Sequence, residues 1–159
     1  MLPSSPLRAR AVALGLVLAA VLPVAAQPTD AERQAAMVQV VVDQLEAFRR
    51  GDWDAAYAFA SQGIQAQFTR EAFRAMVARG YAPIARSARS SVLGTRLVEP
   101  QRGYVEIRVE GQDGETIDAL YELVDEQGRW RINGVLTKPT EHGPTAGAGG
   151  ALADAPEPA

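Results

Sequence analysis

Cysteine is absent from the 159-residue chain, histidine occurs once, and lysine occurs once, as Lys138. Without cysteine there is no disulfide, no thiolate nucleophile and no cysteine-ligated zinc or iron–sulfur centre. Lipid attachment through an N-terminal cysteine is excluded as well. A single histidine excludes multi-histidine metal sites, so no metal and no cofactor is expected. Positive charge is also scarce: 16 basic residues stand against 19 acidic ones, a formal net charge of -3. No stripe of basic residues interleaves with aromatics, and nucleic acid is not an expected partner. What is present is an ordinary globular composition, 47% apolar and 22% charged. The length suits one domain with tails.

The first 26 residues read as a secretory signal peptide. Arg8 and Arg10 form a positive start, Ala11 to Leu22 is an unbroken apolar run, and Pro23 breaks it. Val24-Ala25-Ala26 offers small residues ahead of a cut near Ala26. A membrane-spanning helix needs about 20 apolar residues, more than this run supplies. No adjacent arginine pair precedes the run, which favours the general secretory route over the twin-arginine route. The expected location is periplasmic or secreted, with no membrane association after cleavage. At the other end, residues 139–159 are rich in Pro, Gly and Ala without any period. Such a stretch buries too little apolar area to offset its ordering entropy and reads as a disordered tail. Its glycines follow no strand and open no helix, so they do not make a phosphate loop. The folded domain is expected over residues 29–138.

Its first half has helical spacing. Thr29 and Glu32 are set for a capping box. Met37, Val40, Val41, Leu45 and Phe48 then form one apolar face. Gly51 suits a left-handed helix stop and Asp52 caps the next helix at once. That second helix carries Trp53, Ala56, Tyr57 and Ala60 and is expected to end at Ser61-Gln62-Gly63. Thr69 caps a third, with Phe73, Met76 and Val77 on its buried side, Gly80 at its end and Pro83 blocking continuation. The second half alternates with period two. Ser90 to Val98, Gly103 to Glu110, Thr116 to Val124 and Arg129 to Leu136 read as strands. Turn residues lie at Gly111 to Gly114 and at Asp125 to Gly128. The fold class is α+β: three N-terminal helices packed on a curved antiparallel sheet of about four strands, a cone with an apolar interior.

The junction Leu45-Glu46-Ala47-Phe48-Arg49-Arg50-Gly51-Asp52-Trp53-Asp54-Ala55-Ala56-Tyr57 resembles the helix-one to helix-two junction of the nuclear transport factor two-like superfamily. The exit Met76-Val77-Ala78-Arg79-Gly80-Tyr81-Ala82-Pro83-Ile84 and the closing Trp130-Arg131-Ile132-Asn133-Gly134-Val135 resemble, more narrowly, the bacterial family called domain of unknown function 4864. The likeness covers roughly Met37 to Leu136. It implies the cone fold and frequent secretion, with no assigned chemistry. The wider superfamily implies two further things: pairing by the exposed sheet face, and, in its enzymes, His–Asp or Asp–Tyr sets inside the cone.

His142 lies in the tail, where nothing holds a general base in place, and the chain therefore lacks the His–Asp form. No catalytic residue is assigned. Five residues are candidates for a ligand pocket: Tyr57, Tyr81, Tyr121 and Trp130 as amphipathic aromatics, and Arg86 as a cation at the cone mouth that would grip a carboxylate. The bland alternative makes the aromatics core residues with bonded polar atoms and Arg86 a surface charge. Alternation sets Arg108, Asp118, Glu122 and Arg131 on the outer sheet face, either as a solvated, ion-paired surface or as a homodimer interface.

Three functions stay open. The first is a secreted, non-enzymatic domain binding a small apolar or amphipathic ligand in the cone or a protein partner on the sheet. The second is a histidine-independent acid/base enzyme of isomerase, dehydratase or hydrolase type. It would need a carboxylate inside the cone, Asp118 being the candidate, which a one-residue register slip would turn inward. The third is a homodimeric structural or assembly subunit, favoured by a cone filled with side chains.

Overall fold

Thr29 starts the first helix as its sequence requires. In the computed structural model, which describes residues 27–140, its hydroxyl accepts from the Glu32 N–H at 3.3 Å while the Glu32 carboxylate accepts from the Thr29 N–H at 2.7 Å. Helix α1, Asp30–Arg49, buries Met37, Val41, Leu45 and Phe48 together with Gln44 and Ala47. Val40 is only partly buried against this core. Gly51 takes a φ of 70°, and the Asp52 carboxylate then accepts from the Ala55 N–H at 2.9 Å to open α2, Trp53–Ala58.

The expected end of α2 at Ser61-Gln62-Gly63 is corrected. Helix α2 stops at Ala58, and Ser61 instead caps a further helix, α3, Gln62–Gln67, accepting from the Ile64 N–H at 3.2 Å. Phe59 keeps helical dihedrals as the C-cap of α2, and the chain turns extended by Ser61 because this segment pairs with the last strand. Ser61 N–H donates to Ile132 C=O at 2.8 Å and Ile132 N–H to Phe59 C=O at 2.9 Å, around a parallel bridge at Ala60. That pairing is long-range, so local turn chemistry could not reveal it. Helix α4, Arg70–Gly80, is capped by Thr69 and buries Phe73 and Val77. Pro83 falls in the first turn of a four-residue helix α5, Ala82–Ala85, where its missing N–H costs nothing. The helical half thus has two short elements beyond the three expected.

Strands β1 (Ser87–Glu99), β2 (Arg102–Gly111), β3 (Thr116–Asp125) and β4 (Trp130–Pro139) form an antiparallel meander in the order β1-β2-β3-β4. Three irregularities interrupt β1, which is an edge strand and is blunted by them. The β3–β4 turn has positive φ at both Gln127 and Gly128, as a two-residue primed turn requires. Strand β4 runs past the expected boundary at Lys138, and Thr140 N–H still donates to Thr116 C=O at 3.3 Å. The expected signal peptide, His142 and the remainder of the expected tail, residues 141–159, lie outside the described residues. Val105, Ile107, Val109, Ile117, Ala119, Tyr121 and Leu123 are buried on the sheet face that meets the helices. Their chain neighbours Glu106, Arg108, Asp118 and Glu122 fall on the other face, as the alternation anticipated.

Three surface glutamates contribute to the acid response. The Thr29 backbone N–H holds Glu32 below the ordinary glutamate range, as the Arg49 guanidinium does Glu46 and the Arg89 guanidinium does Glu110. Carboxylates depressed in the folded state stabilise it above their unfolded pKa, about 4.3, and lose that contribution as pH falls through the folded value. Denaturant midpoints are expected to hold from pH 7 down to about pH 5 and to fall below about pH 4.3. A Glu32→Gln, Glu46→Gln, Glu110→Gln triple variant is expected to show a shallower fall.

Candidate ligand cavity

The helices do not fill the cone. A cavity of about 220 Å³ remains between them and the sheet. Helix α1 supplies Gln44 and Phe48 to its wall, and α3 supplies Ile64, with Phe68 just beyond it. Phe73, Met76 and Val77 face it from α4, and Tyr81 and Ile84 from the α4–α5 corner. Tyr121 of β3 and Gly134 and Val135 of β4 close the sheet side. The positions follow from local rules. Residues 73, 76 and 77 share one helical face, and 121 is an inward position of β3 whose rung partner is Val135.

Polar atoms on this wall are few. The Gln44 side chain, 4% exposed, donates from Nε2 to Ala56 C=O at 3.1 Å. The Tyr81 hydroxyl donates to Val135 C=O at 3.4 Å. The Tyr121 hydroxyl is fully buried and has no hydrogen-bond partner among the described residues. Burial, reinforced by Tyr81, pushes its pKa far above the ordinary tyrosine value, so the group stays a neutral O–H. Among the described residues no carboxylate, histidine or cation lines the cavity.

Of the five pocket candidates, the structure brings Tyr81 and Tyr121 together here and places three elsewhere. Tyr57 stands behind the wall: its hydroxyl is shared between Phe68 C=O at 2.7 Å and Gln65 C=O at 3.2 Å, and its ring meets the Phe73 edge at 5.3 Å. Trp130 is core, paired with Asp125 four residues along β3 from Tyr121. Arg86 is exposed, 3.6 Å from Asp113, and does not reach the cavity. Its neighbour Ile84 does, because the α5 turn sends residues 84 and 86 in different directions. Sequence reasoning missed Gln44. The signal was there: Met37, Val41, Gln44 and Phe48 continue one i, i+3/i+4 stripe, and a polar residue in such a stripe must be bonded or useful.

The four sheet-face candidates divide similarly. Arg108 donates twice to Asp118, at 2.7 and 3.0 Å, and Asn133 donates to Glu122 at 3.4 Å. Arg131 instead donates to the α2 carbonyl of Ala58 at 2.6 Å, where a helix C-terminus favours a cation. Beside Asp118 on this face Leu136 is 74% exposed. Ile117, Ala119 and Tyr121 face the helices and Asp118 faces away from them, so the register slip that would turn Asp118 into the cone is not present. Among the described residues no group of three or more metal-ligating side chains occurs, and no helix is long and apolar enough to cross a membrane.

Known structures share this architecture. An NTF-2 like protein of unknown function from Silicibacter pomeroyi matches with a TM-score of 0.53 at 17% identity, over 71% of this chain and 100% of its own. An NTF2-like protein of unknown function from Shewanella baltica matches with a TM-score of 0.51 at 15% identity, over 72% of this chain and 100% of its own. A third, from Shewanella oneidensis, gives 0.50 at 18% identity, over 66% and 98%. At such identities the likeness is one of fold. No curated protein matches the chain significantly. In sequence, the model of one family matches residues 30–144, from the first turn of α1 to beyond the end of β4. The chain belongs to that family, the domain of unknown function DUF4864.

Proposed function

We propose that this protein is exported through its N-terminal signal segment and binds a small, neutral, apolar or amphipathic molecule in the cone. The observation that carries this reading is the cavity of about 220 Å³, walled by aromatic and aliphatic side chains and by few polar atoms. Ligand sites are concave and mostly apolar, with a small number of placed polar groups. An engineered apolar cavity of about 150 Å³ already takes benzene. The acid/base alternative needs a carboxylate beside Tyr121, and Asp118 is on the far side of the sheet. A purely structural subunit would have its cone filled, which this cavity counts against.

Titration with toluene, followed by methyl NMR, tests the reading. Met76, Ile64 and Ile84 line the cavity, so their methyl signals are expected to shift and saturate while that of Leu136 stays in place. Shifts confined to Leu136, or none at all, would remove the cavity from consideration.

The outer sheet face supports a second reading, a homodimer. Leu136 lies exposed on it beside Leu120, among charges of both signs: Asp118, paired with Arg108, and Lys138, 3.8 Å from Glu106. Mixed charge around an apolar centre suits a self-complementary patch. Leu136→Glu is expected to turn a dimer into a monomer in sedimentation equilibrium and to leave toluene binding intact. A parent protein that sediments as a monomer at all concentrations would dismiss this interface.

A further inference from the structure

We propose that the molecule bound in the cone carries a neutral carbonyl oxygen at its buried end, and that the Tyr121 hydroxyl donates a hydrogen bond to it. This deepens the cavity reading above and rests on it. Tyr121 lines the cavity, is fully buried, and leaves its hydroxyl without a partner among the described residues. Buried polar groups are almost always paired, and one left over at a cavity wall points to a ligand atom. The neighbouring polar groups are engaged: Gln44 Nε2 on Ala56 and the Tyr81 hydroxyl on Val135.

The chemistry of the partner follows from the chemistry of the donor. A phenol gives its proton readily and accepts weakly, since its oxygen lone pair is delocalised into the ring. The matching ligand atom is therefore an acceptor. A ketone or aldehyde oxygen is satisfied by one donor. An alcohol would bring its own O–H and need an acceptor in addition to the Tyr121 donor, whereas a carbonyl is satisfied by that donor alone. A carboxylate would be buried with no cation on the wall, at a desolvation cost one neutral hydrogen bond does not offset. The volume of about 220 Å³ suits a single ring with a short substituent.

Three probes of nearly equal shape separate these possibilities: acetophenone, α-methylstyrene, in which a methylene replaces the carbonyl oxygen, and benzoate. Each is titrated by amide NMR into the purified protein and into Tyr121→Phe, which keeps the ring and removes only the hydroxyl. Acetophenone is expected to bind about tenfold more tightly than α-methylstyrene. Benzoate is expected to bind most weakly. Tyr121→Phe is expected to abolish the tenfold preference and to leave α-methylstyrene affinity unchanged or higher. Equal binding of acetophenone and α-methylstyrene, unaltered in Tyr121→Phe, overturns the carbonyl assignment and leaves the cavity reading standing. Benzoate as the tightest probe overturns the neutrality of the ligand. If no probe binds either protein, the cavity reading fails and this inference fails with it.

Discussion

Phe73→Ala is expected to lose about 3 kcal/mol of stability, the lower end of the usual 3–5 kcal/mol for a buried aromatic. The Phe73 residue is 5% exposed, and its ring stacks on Phe48 at 6.4 Å and meets Tyr57 edge-to-face at 5.3 Å. Removing it forfeits these contacts and their transfer free energy. The lower end applies because one side of the ring already borders the cavity and has fewer neighbours to lose. Against a total of about 5–15 kcal/mol for a domain of ordinary size, the variant stays folded but marginal. Urea denaturation checks this: the midpoint should fall with little change in slope. The hole also joins the existing cavity, so naphthalene is expected to raise the melting midpoint of Phe73→Ala more than that of the parent. A loss under about 1 kcal/mol would mean that the helices close over the space and that the wall is not rigid.

Gly103→Ala is expected to cost about 1–3 kcal/mol although it adds one methyl group. A Cβ at this position would lie 2.5 Å from Met37 Sδ and 2.8 Å from the Arg96 carbonyl oxygen. The thioether can swing aside. The carbonyl belongs to the neighbouring strand, where Arg96 pairs with Tyr104 and Leu97 with Gly103, and moving it disturbs the ladder. Close approach of α1 to the β1–β2 pair is therefore what glycine permits here. Gly94→Ala is the control, since a Cβ there meets nothing within 4 Å. It should leave the midpoint unchanged or raise it slightly, because alanine restricts the unfolded chain. Thermal unfolding separates the two: a domain of this size shifts by about 4 °C or more per kcal/mol. Equal midpoints for the two variants would show that α1 stands further off the sheet than these distances state.

Most of the architecture was legible because it rests on local rules. The Thr29–Glu32 box, the Gly51 stop at φ 70°, the Asp52 cap and the strict alternation of Val105, Ile107 and Val109 each need only neighbours in sequence. What escaped depends on distant partners. Ser61 caps α3 and ends no helix because Ile132, some seventy positions later, holds its backbone extended. β1 begins at Ser87, ahead of the expected Ser90, because Gly111 pairs with it across the sheet. The cavity was legible only in part. Apolar periodicity shows which faces of α1 and α4 turn inward, but not where their side chains fail to meet. Amphipathic character alone points to Tyr81 and Tyr121 as pocket residues, and the same criterion admits Tyr57 and Trp130, whose surroundings use them otherwise. Arg86 was placed by nearness in sequence to Ile84, and the α5 turn separates the two.

Native mass spectrometry of the protein, recovered gently from the cells that make it, tests most directly the claim that the cone holds a small neutral molecule. The expected spectrum contains a noncovalent adduct small enough for a space of about 220 Å³. That adduct should be displaced by excess acetophenone and retained in Leu136→Glu. A bare chain that also takes up no acetophenone or toluene would contradict the account, and the exposed sheet face would become the place to look for function.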